Sequence, residues 1–406
     1  MYVFDLGDPA TNADPFPAFA RLRRDDPVHW SPAMKAWIVT RYADVKRITL
    51  DTNAISADRL SPFFAADPAR RSRIESLIRY LNHWRVFRDP PDHTRLRRLL
   101  NKAFTPRAVE AQRANIEAIV DETLDQLVAK TRRGESIDWI GDFAYPLPAT
   151  VIMDMLGVPR ADLQRIKAWS HEIALFIGSA QVAGDKYARA ERGAKAMAEF
   201  FRELVEARTA APARDLISQL VAARDEQDAL TADEVIGTCI LLLFAGHETT
   251  TNLLGNGLYH TLRFRDQWRR LVADPALTDN AIEEWLRYDG PNAAIARVVA
   301  EAVTLGAKRL TRGQRVFAFN NSANRDPEQF ADPDMLDVGR DAGSHIAFGH
   351  GIHFCLGAPL ARLEGQIALR RITERFPDLR LASDAPPEWA DSLVLRGVKA
   401  LPVALG

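Results

Sequence analysis

Cysteine is nearly missing from this sequence: Cys239 and Cys355 are the two among 406 residues. They lie far apart, which excludes a disulfide framework or zinc-type spacing and fits a reducing, cytoplasmic compartment. An excess of one charge is also missing. With 53 basic and 54 acidic residues the net charge is -1, so neither a generic nucleic-acid binder nor a polybasic membrane protein is expected. Long apolar runs are short too. The longest uncharged one, Val235 to Gly246, stops at His247-Glu248, too soon to cross a bilayer. The start, Met-Tyr-Val-Phe-Asp-Leu-Gly-Asp-Pro, lacks the basic and apolar regions of a signal peptide. A monomer without a transmembrane anchor is expected. Neither a Gly-x-Gly-x-x-Gly nucleotide fingerprint nor an iron–sulfur cysteine cluster is found, so the chain carries no reductase of its own.

What is present is a sequence 47% hydrophobic and 26% charged, able to bury a large core. Spacing predicts helices over Phe16–Arg24, over His93–Ala129 with a break at Thr105-Pro106, near Leu163, Ile166 and Trp169, and over Thr278–Tyr288. Ala36–Thr40 reads as a strand, and residues 298 to 319 as two arms turning at Arg312-Gly313. The punctuated stretch Asp58–Pro91 reads as mostly loop with one short helix. The clearest helix begins at Thr231, where Thr231 and Glu234 have capping-box spacing, and runs past Gly246 to about Leu262. Residues 320–346 are irregular, and a final helix spans Leu356–Phe376. No repeat or long linker divides residues 1–406, so one mainly α (α+β) domain is expected.

The most informative segment is Phe348-Gly-His-Gly-Ile-His-Phe-Cys-Leu-Gly357. Gly349 and Gly351 allow a tight turn and close backbone approach. The turn delivers Cys355 to a helix start, with Pro359 suited to the first turn. A helix N-terminus favours negative charge and lowers a thiol's pKa, which suits a thiolate ligand. Gly357 lets the helix lie close over a flat ligand, while Phe348 shields the sulfur. Cys239, by contrast, reads as a small buried hydrophobe.

This segment resembles the haem-binding signature of the cytochrome P450 family, Phe-Gly-x-Gly-x-His/Arg-x-Cys-x-Gly. The resemblance implies that Cys355 is the proximal ligand of haem b iron, its thiolate favouring O–O cleavage, and that His353 meets a haem propionate. The fold implied is the P450 fold, with haem between the long central helix and the cysteine loop.

Other motifs run in the family's order over nearly the whole chain. Ala245-Gly-His-Glu-Thr-Thr250 places a glycine mid-helix at a cost of roughly 1 kcal/mol relative to alanine, followed by an acid and hydroxyls. Leu253, Leu254 and Leu258 then resume the apolar face, so the polar patch reads as internal. Thr249 is positioned to bond back to a carbonyl one turn earlier. The segment is similar to the family's distal motif, which makes Glu248 and Thr249 the acid–alcohol pair that delivers protons during oxygen activation. Ala245 would lie against the haem. Glu284 and Arg287, on one helical face, resemble the family's Glu-x-x-Arg, with Arg340 as third member of a structural cluster. Asp89-Pro-Pro-Asp-His-Thr-Arg-Leu-Arg97 resembles a further family stretch in which His93 and Arg97, one turn apart, clamp a propionate. Arg297 resembles another propionate partner.

The implied activity is insertion of one atom of O2 into a small, largely apolar substrate, by hydroxylation, demethylation or epoxidation. NAD(P)H-derived electrons would come from a ferredoxin or flavodoxin with its reductase. Between residues 85 and 113, Arg95, Arg98, Lys102 and Arg113 are candidates for a basic docking face, or for an ordinary solvated face. Leu242, Phe244, Ala293, Ala294 and Ile295 are expected to line the pocket, and Ser61–Arg88 to roof it. Among the roof arginines (Arg70, Arg71, Arg73, Arg79, Arg85, Arg88), one is a candidate to hold a substrate carboxylate. Two other readings stand: a peroxide-driven haem-thiolate enzyme, which the Glu248-Thr249 pair argues against, and a haem sensor or carrier.

Overall fold

The computed structural model describes residues 4–65, 68–178, 185–225 and 228–406. Helices dominate. In chain order those that build the site are α1 (Tyr42–Leu50), α2 (Glu75–Leu81), α3 (Asp92–Ala103), α4 (Pro146–Leu156), α5 (Leu163–Ile177), α6 (Lys186–Ala210), α7 (Ala232–Arg263), α8 (Thr278–Asp289) and α9 (Ala358–Arg375). Strands β1 (Val28–Ser31), β2 (Ala36–Val39), β3 (Ile55–Ser56), β4 (Ala294–Val299) and β5 (Arg315–Phe319) form one sheet in the order β1-β2-β5-β4-β3. In it β5 pairs parallel with β2 and antiparallel with β4. The region expected to be two arms holds an additional hairpin, Val303–Leu305 with Lys308–Leu310, closed at Gly306 with φ +56°; Gly313, with φ +86°, turns the chain into β5.

Helix α7 organises the molecule. The Thr231 hydroxyl accepts from the Glu234 N–H at 3.3 Å, and the Glu234 carboxylate accepts from the Thr231 N–H at 2.8 Å. This reciprocal cap satisfies two donors that a helix start leaves orphaned, worth about 1 kcal/mol. The N-terminal half of α7, from Val235 to Phe244, packs into one apolar cluster with Ile152, Met153 and Phe201. Its C-terminal half, from Leu253 to Leu262, packs into another with Trp139, Trp285 and Leu363. The Ala245–Thr250 segment therefore lies between two cores. Glycines let neighbouring elements press against the helix: a Cβ on Gly257 would fall 2.0 Å from the Trp285 ring, and one on Gly246 would fall 3.2 Å from Ile152.

The stretch 58–91 differs from expectation. Besides α2 it holds short helices at Leu60–Ala65 and Pro68–Arg73 and a single turn at Arg85–Phe87. The proline at 68 opens a helix, where its missing N–H costs nothing. Helix α2 is capped from far along the chain, since the Glu191 carboxylate accepts from Ser76 N and Leu77 N at 3.0 and 2.8 Å. No helix among the described residues is long and apolar enough to cross a membrane.

Candidate active site

The 348–357 loop bends as its glycines require. Gly349 and Gly351 have φ of +74° and +71°, a region costly for residues with a β-carbon. Gly349 N donates to Ile346 O at 2.9 Å and Cys355 N to Phe348 O at 3.0 Å, which closes the loop on itself. Cys355 then sits just before α9, and Pro359 occupies its first turn. Burial pushes the Cys355 thiol up, opposed by Arg85, by the Gly357 and Ala358 N–H groups, and by Arg97. This corrects the expectation of a lowered pKa: the helix start does point its N–H groups at sulfur, but desolvation outweighs them.

Cys355 shares one cavity with α7. Its walls include Ala245, Gly246, Thr249 and Thr250 from α7, and Phe348, Gly349, His353, Cys355 and Gly357 from the loop. A Cβ built on Gly357 meets nothing within 4 Å, so that side of the loop faces open space. Of the expected apolar lining, Leu242, Phe244, Ala294 and Ile295 are in the wall; Ala293 is not. Ala293 is buried, and its N–H donates to Val394 O at 2.9 Å, so the backbone of the neighbouring bridge absorbs it.

Thr249 Oγ1 donates to Ala245 O at 2.9 Å. Glu248 is not the buried acid expected: its side chain is 34% exposed and outside the cavity wall, with Oε2 3.6 Å from His247 Nε2. His247 is buried and shares its Nδ1 proton with Leu243 O at 2.6 Å, leaving Nε2 toward Glu248. Burial, which disfavours the imidazolium, holds His247 below the ordinary histidine range. Sequence reasoning passed over His247, because a histidine in a helical apolar run carries no signal of its own.

A cluster of cationic and imidazole groups rims the same cavity. His353 and Arg297 line it, while His93 and Arg97 do not. The His93 and His353 rings are 4.3 Å apart between centroids. Burial pulls His93 down to about 4 and His353 down to about 2, helped by the neighbouring cations. Neither ring nitrogen of His93, nor Nδ1 of His353, has a hydrogen-bond partner. Arg97, rather than pairing with His93, donates from Nη1 to Phe354 O at 2.7 Å. Arg59 and Arg85 also reach the cavity; Arg59 was not singled out from sequence. Glu364, likewise missed, lines the wall with Oε2 unpartnered, and burial pushes it up to about 8.

Behind the loop, Arg287 grips Glu284 through two bonds of 2.7 and 2.8 Å, both side chains fully buried. Arg340 Nε reaches the same carboxylate at 3.3 Å. Arg287 also donates to the Asn324, Pro333 and Met335 carbonyls, so the triad ties the irregular segment before the loop to α8. The candidate docking face is partly neutralised: Arg95 pairs with Asp228 and Glu234, and Arg113 with Glu110. Arg79 is an exposed partner of Asp233, Arg88 donates to the Asn82 carbonyl, and Arg71 and Arg73 are exposed. The side chain of Arg70 lies outside the described residues.

A family model for cytochrome P450 matches residues 30–395. The chain belongs to the cytochrome P450 family. This P450 is 40% identical to cytochrome P450 107B1 of Saccharopolyspora erythraea over 98% of the chain and 97% of that protein. It is 38% identical to 6-deoxyerythronolide B hydroxylase of the same organism, over 99% of each. The solved structure of P450BioI in complex with hexadec-9Z-enoic acid ligated acyl carrier protein superposes with a TM-score of 0.90. That match has 33% identity and covers 98% of this chain and 99% of the other. The fold is thus the P450 fold, and the protein is a P450 monooxygenase that binds haem b and uses O2 and electrons from a redox partner.

The cavity fits that cofactor. A cysteine with helix N–H groups aimed at its sulfur stands on one wall and small residues of α7 on another, with orphaned nitrogens of His93 and His353 close by. A ligand carrying a metal and carboxylates satisfies all three features.

Proposed function

We propose that this P450 inserts one atom of O2 into a small, largely apolar organic molecule, with Cys355 as the iron ligand. The observation that carries the reading is the placement of Cys355 and Thr249 in the walls of one cavity. Haem supplies the oxygen-activating chemistry when bound. Cys355 Sγ holds the metal, Phe348 shields the sulfur from water, and Gly349 lets the loop backbone approach. Arg297 and His353 from the wall, with His93 and Arg97 beside them, hold the propionates, the guanidiniums by charge-assisted hydrogen bonds.

Glu248 and Thr249 supply protons. The Glu248 carboxylate, about one-third exposed, meets water, and the neutral His247 turns its accepting Nε2 toward it from 3.6 Å. Thr249 Oγ1, anchored on Ala245 O, presents a hydroxyl at the cavity wall and keeps a lone pair free to take up the next proton. Leu242, Phe244, Ala294 and Ile295 exclude water around the substrate. Electrons come from a ferredoxin or flavodoxin with its reductase, in the cytoplasm, and residues 1–406 act as one domain. Turnover tests the reading. With a surrogate ferredoxin and its reductase, a compound that shifts the haem to high spin should gain one oxygen-18 atom from labelled O2. Product oxygen drawn from water or peroxide instead would overturn it.

A further inference from the structure

The haem site assigned above leaves two cavity arginines unused, Arg59 and Arg85. Arg85 is 7% exposed, and its Nη1 has no hydrogen-bond partner. Beside it in the chain, Trp84 Nε1 is buried in the same wall and equally unpartnered. The Arg59 guanidinium lies 4.7 Å from the centre of the Phe87 ring, with no carboxylate partner among the described residues. Burial pulls both arginines down to about 10; Arg97 adds to this at Arg85, where only the Cys355 sulfur opposes it without a hydrogen bond, and Arg297 adds to it at Arg59. A buried guanidinium without an anion is costly to keep, so it marks a place where a ligand completes the pairing.

Charge counting shows which ligand. Ferric iron, porphyrin ring and thiolate cancel one another, leaving the two propionates of haem b. Facing them are four guanidiniums, those of Arg59, Arg85, Arg97 and Arg297. The carboxylate of Asp89, which bears on Arg297, already accepts from Ser56 Oγ and Ala57 N. Burial pushes the Glu364 carboxyl up to about 8, so it contributes little negative charge near neutrality. One positive charge is left over. Much of the remaining wall is apolar, with Trp84, Phe87, Ile177, Leu242, Phe244 and Leu395. We propose that Arg85, backed by the charge of Arg59, binds a carboxylate of the substrate, so that this cavity takes apolar organic acids in preference to their neutral counterparts. The propionates require no third or fourth arginine, and the oxygen chemistry uses neither residue.

Two matched pairs of acid and methyl ester test this on the holoenzyme: dodecanoic acid, which is linear, and abietic acid, which is polycyclic. Affinity is read from the Soret spin-state shift. In at least one pair the acid should bind roughly ten- to a hundred-fold more tightly than its ester, the range expected of a charge-assisted hydrogen bond. Arg85→Met should erase that ratio by weakening the acid alone, and Arg85→Lys should restore part of it. Haem content and the rate of haem loss to apomyoglobin should stay as in the wild type. Equal binding of acid and ester in both pairs overturns the inference. So does an Arg85→Met protein that loses haem faster while keeping the acid preference, since Arg85 would then be a propionate ligand. The ferrous carbonyl spectrum separates this from the reading it rests on. Without a thiolate-type band the haem assignment fails, whereas a normal band with acid–ester parity removes only the carboxylate site.

Discussion

Arg97 Nη1 donates to the carbonyl of Phe354 at 2.7 Å, so α3 is tied to the residue just before Cys355. The tie spans two elements remote in sequence and leaves the other guanidinium donors available for a propionate. Arg97→Met removes both roles. Since a hydrogen bond to a charged group contributes about 1.5–3 kcal/mol, haem transfer to apomyoglobin should quicken by roughly tenfold or more. An unchanged transfer rate would show that Arg97 holds neither loop nor cofactor.

Cys355→His should replace the thiolate-type Soret band of the ferrous carbonyl complex with one of histidine type, because the atom the protein would offer the iron changes from sulfur to nitrogen. Cys239→Ser should leave the band in place, since Cys239 is fully buried in the apolar cluster on the N-terminal half of α7. Retention of the band in Cys355→His would remove the ligand assignment.

Thr249→Ala keeps the cavity and its cysteine but deletes the hydroxyl anchored on Ala245. Substrate binding and NAD(P)H consumption should persist, while product per NAD(P)H falls and hydrogen peroxide rises to match. Thr249→Ser should recover most of the coupling. Wild-type coupling in the alanine variant would move the proton route to ordered water or to the substrate.

Acid stability should depend on Glu283. Burial alone would raise its pKa, but Arg362, at 2.6 and 2.8 Å, and His345, at 3.0 Å, hold it down to about 2. A depressed carboxylate contributes stability that is complete above its unfolded value near 4.5 and fades as pH falls toward 2. At 1.36 kcal/mol per unit the shift amounts to about 3 kcal/mol. Urea midpoints of wild type and Glu283→Gln should differ clearly at pH 6 and converge as pH falls below about 4.5. A gap that stays constant down the series would assign the effect to packing.

Much of this was legible in local pattern. The Thr231–Glu234 cap, the glycine turns around Cys355 and the Glu284–Arg287 spacing each join residues a few positions apart, and each forms as read. What was illegible depends on distant partners. Helix α2 is capped by Glu191, over a hundred positions away, so the proline-punctuated stretch around it, with its short apolar runs, looks mostly like loop. Six arginines between 70 and 88 look alike in sequence, yet Arg79 and Arg88 have partners while Arg85 is buried facing the cavity. The burial of Glu248 was misjudged because a polar break in an apolar helix does not reveal which side of it meets water.

The close contact of Gly257 with Trp285 has a consequence for fidelity. Alanine normally favours a helix interior by about 1 kcal/mol over glycine. Here its methyl carbon would overlap the indole at 2.0 Å, and α7 would have to lift away from α8. Thr249 lies two turns further along the same rigid rod, so the lift would carry its hydroxyl off station without touching any residue of the cavity. On the proton route proposed for Thr249, the accuracy with which oxygen is spent on substrate would be partly fixed by an inert atom-sized gap, at a position that takes part in no chemistry.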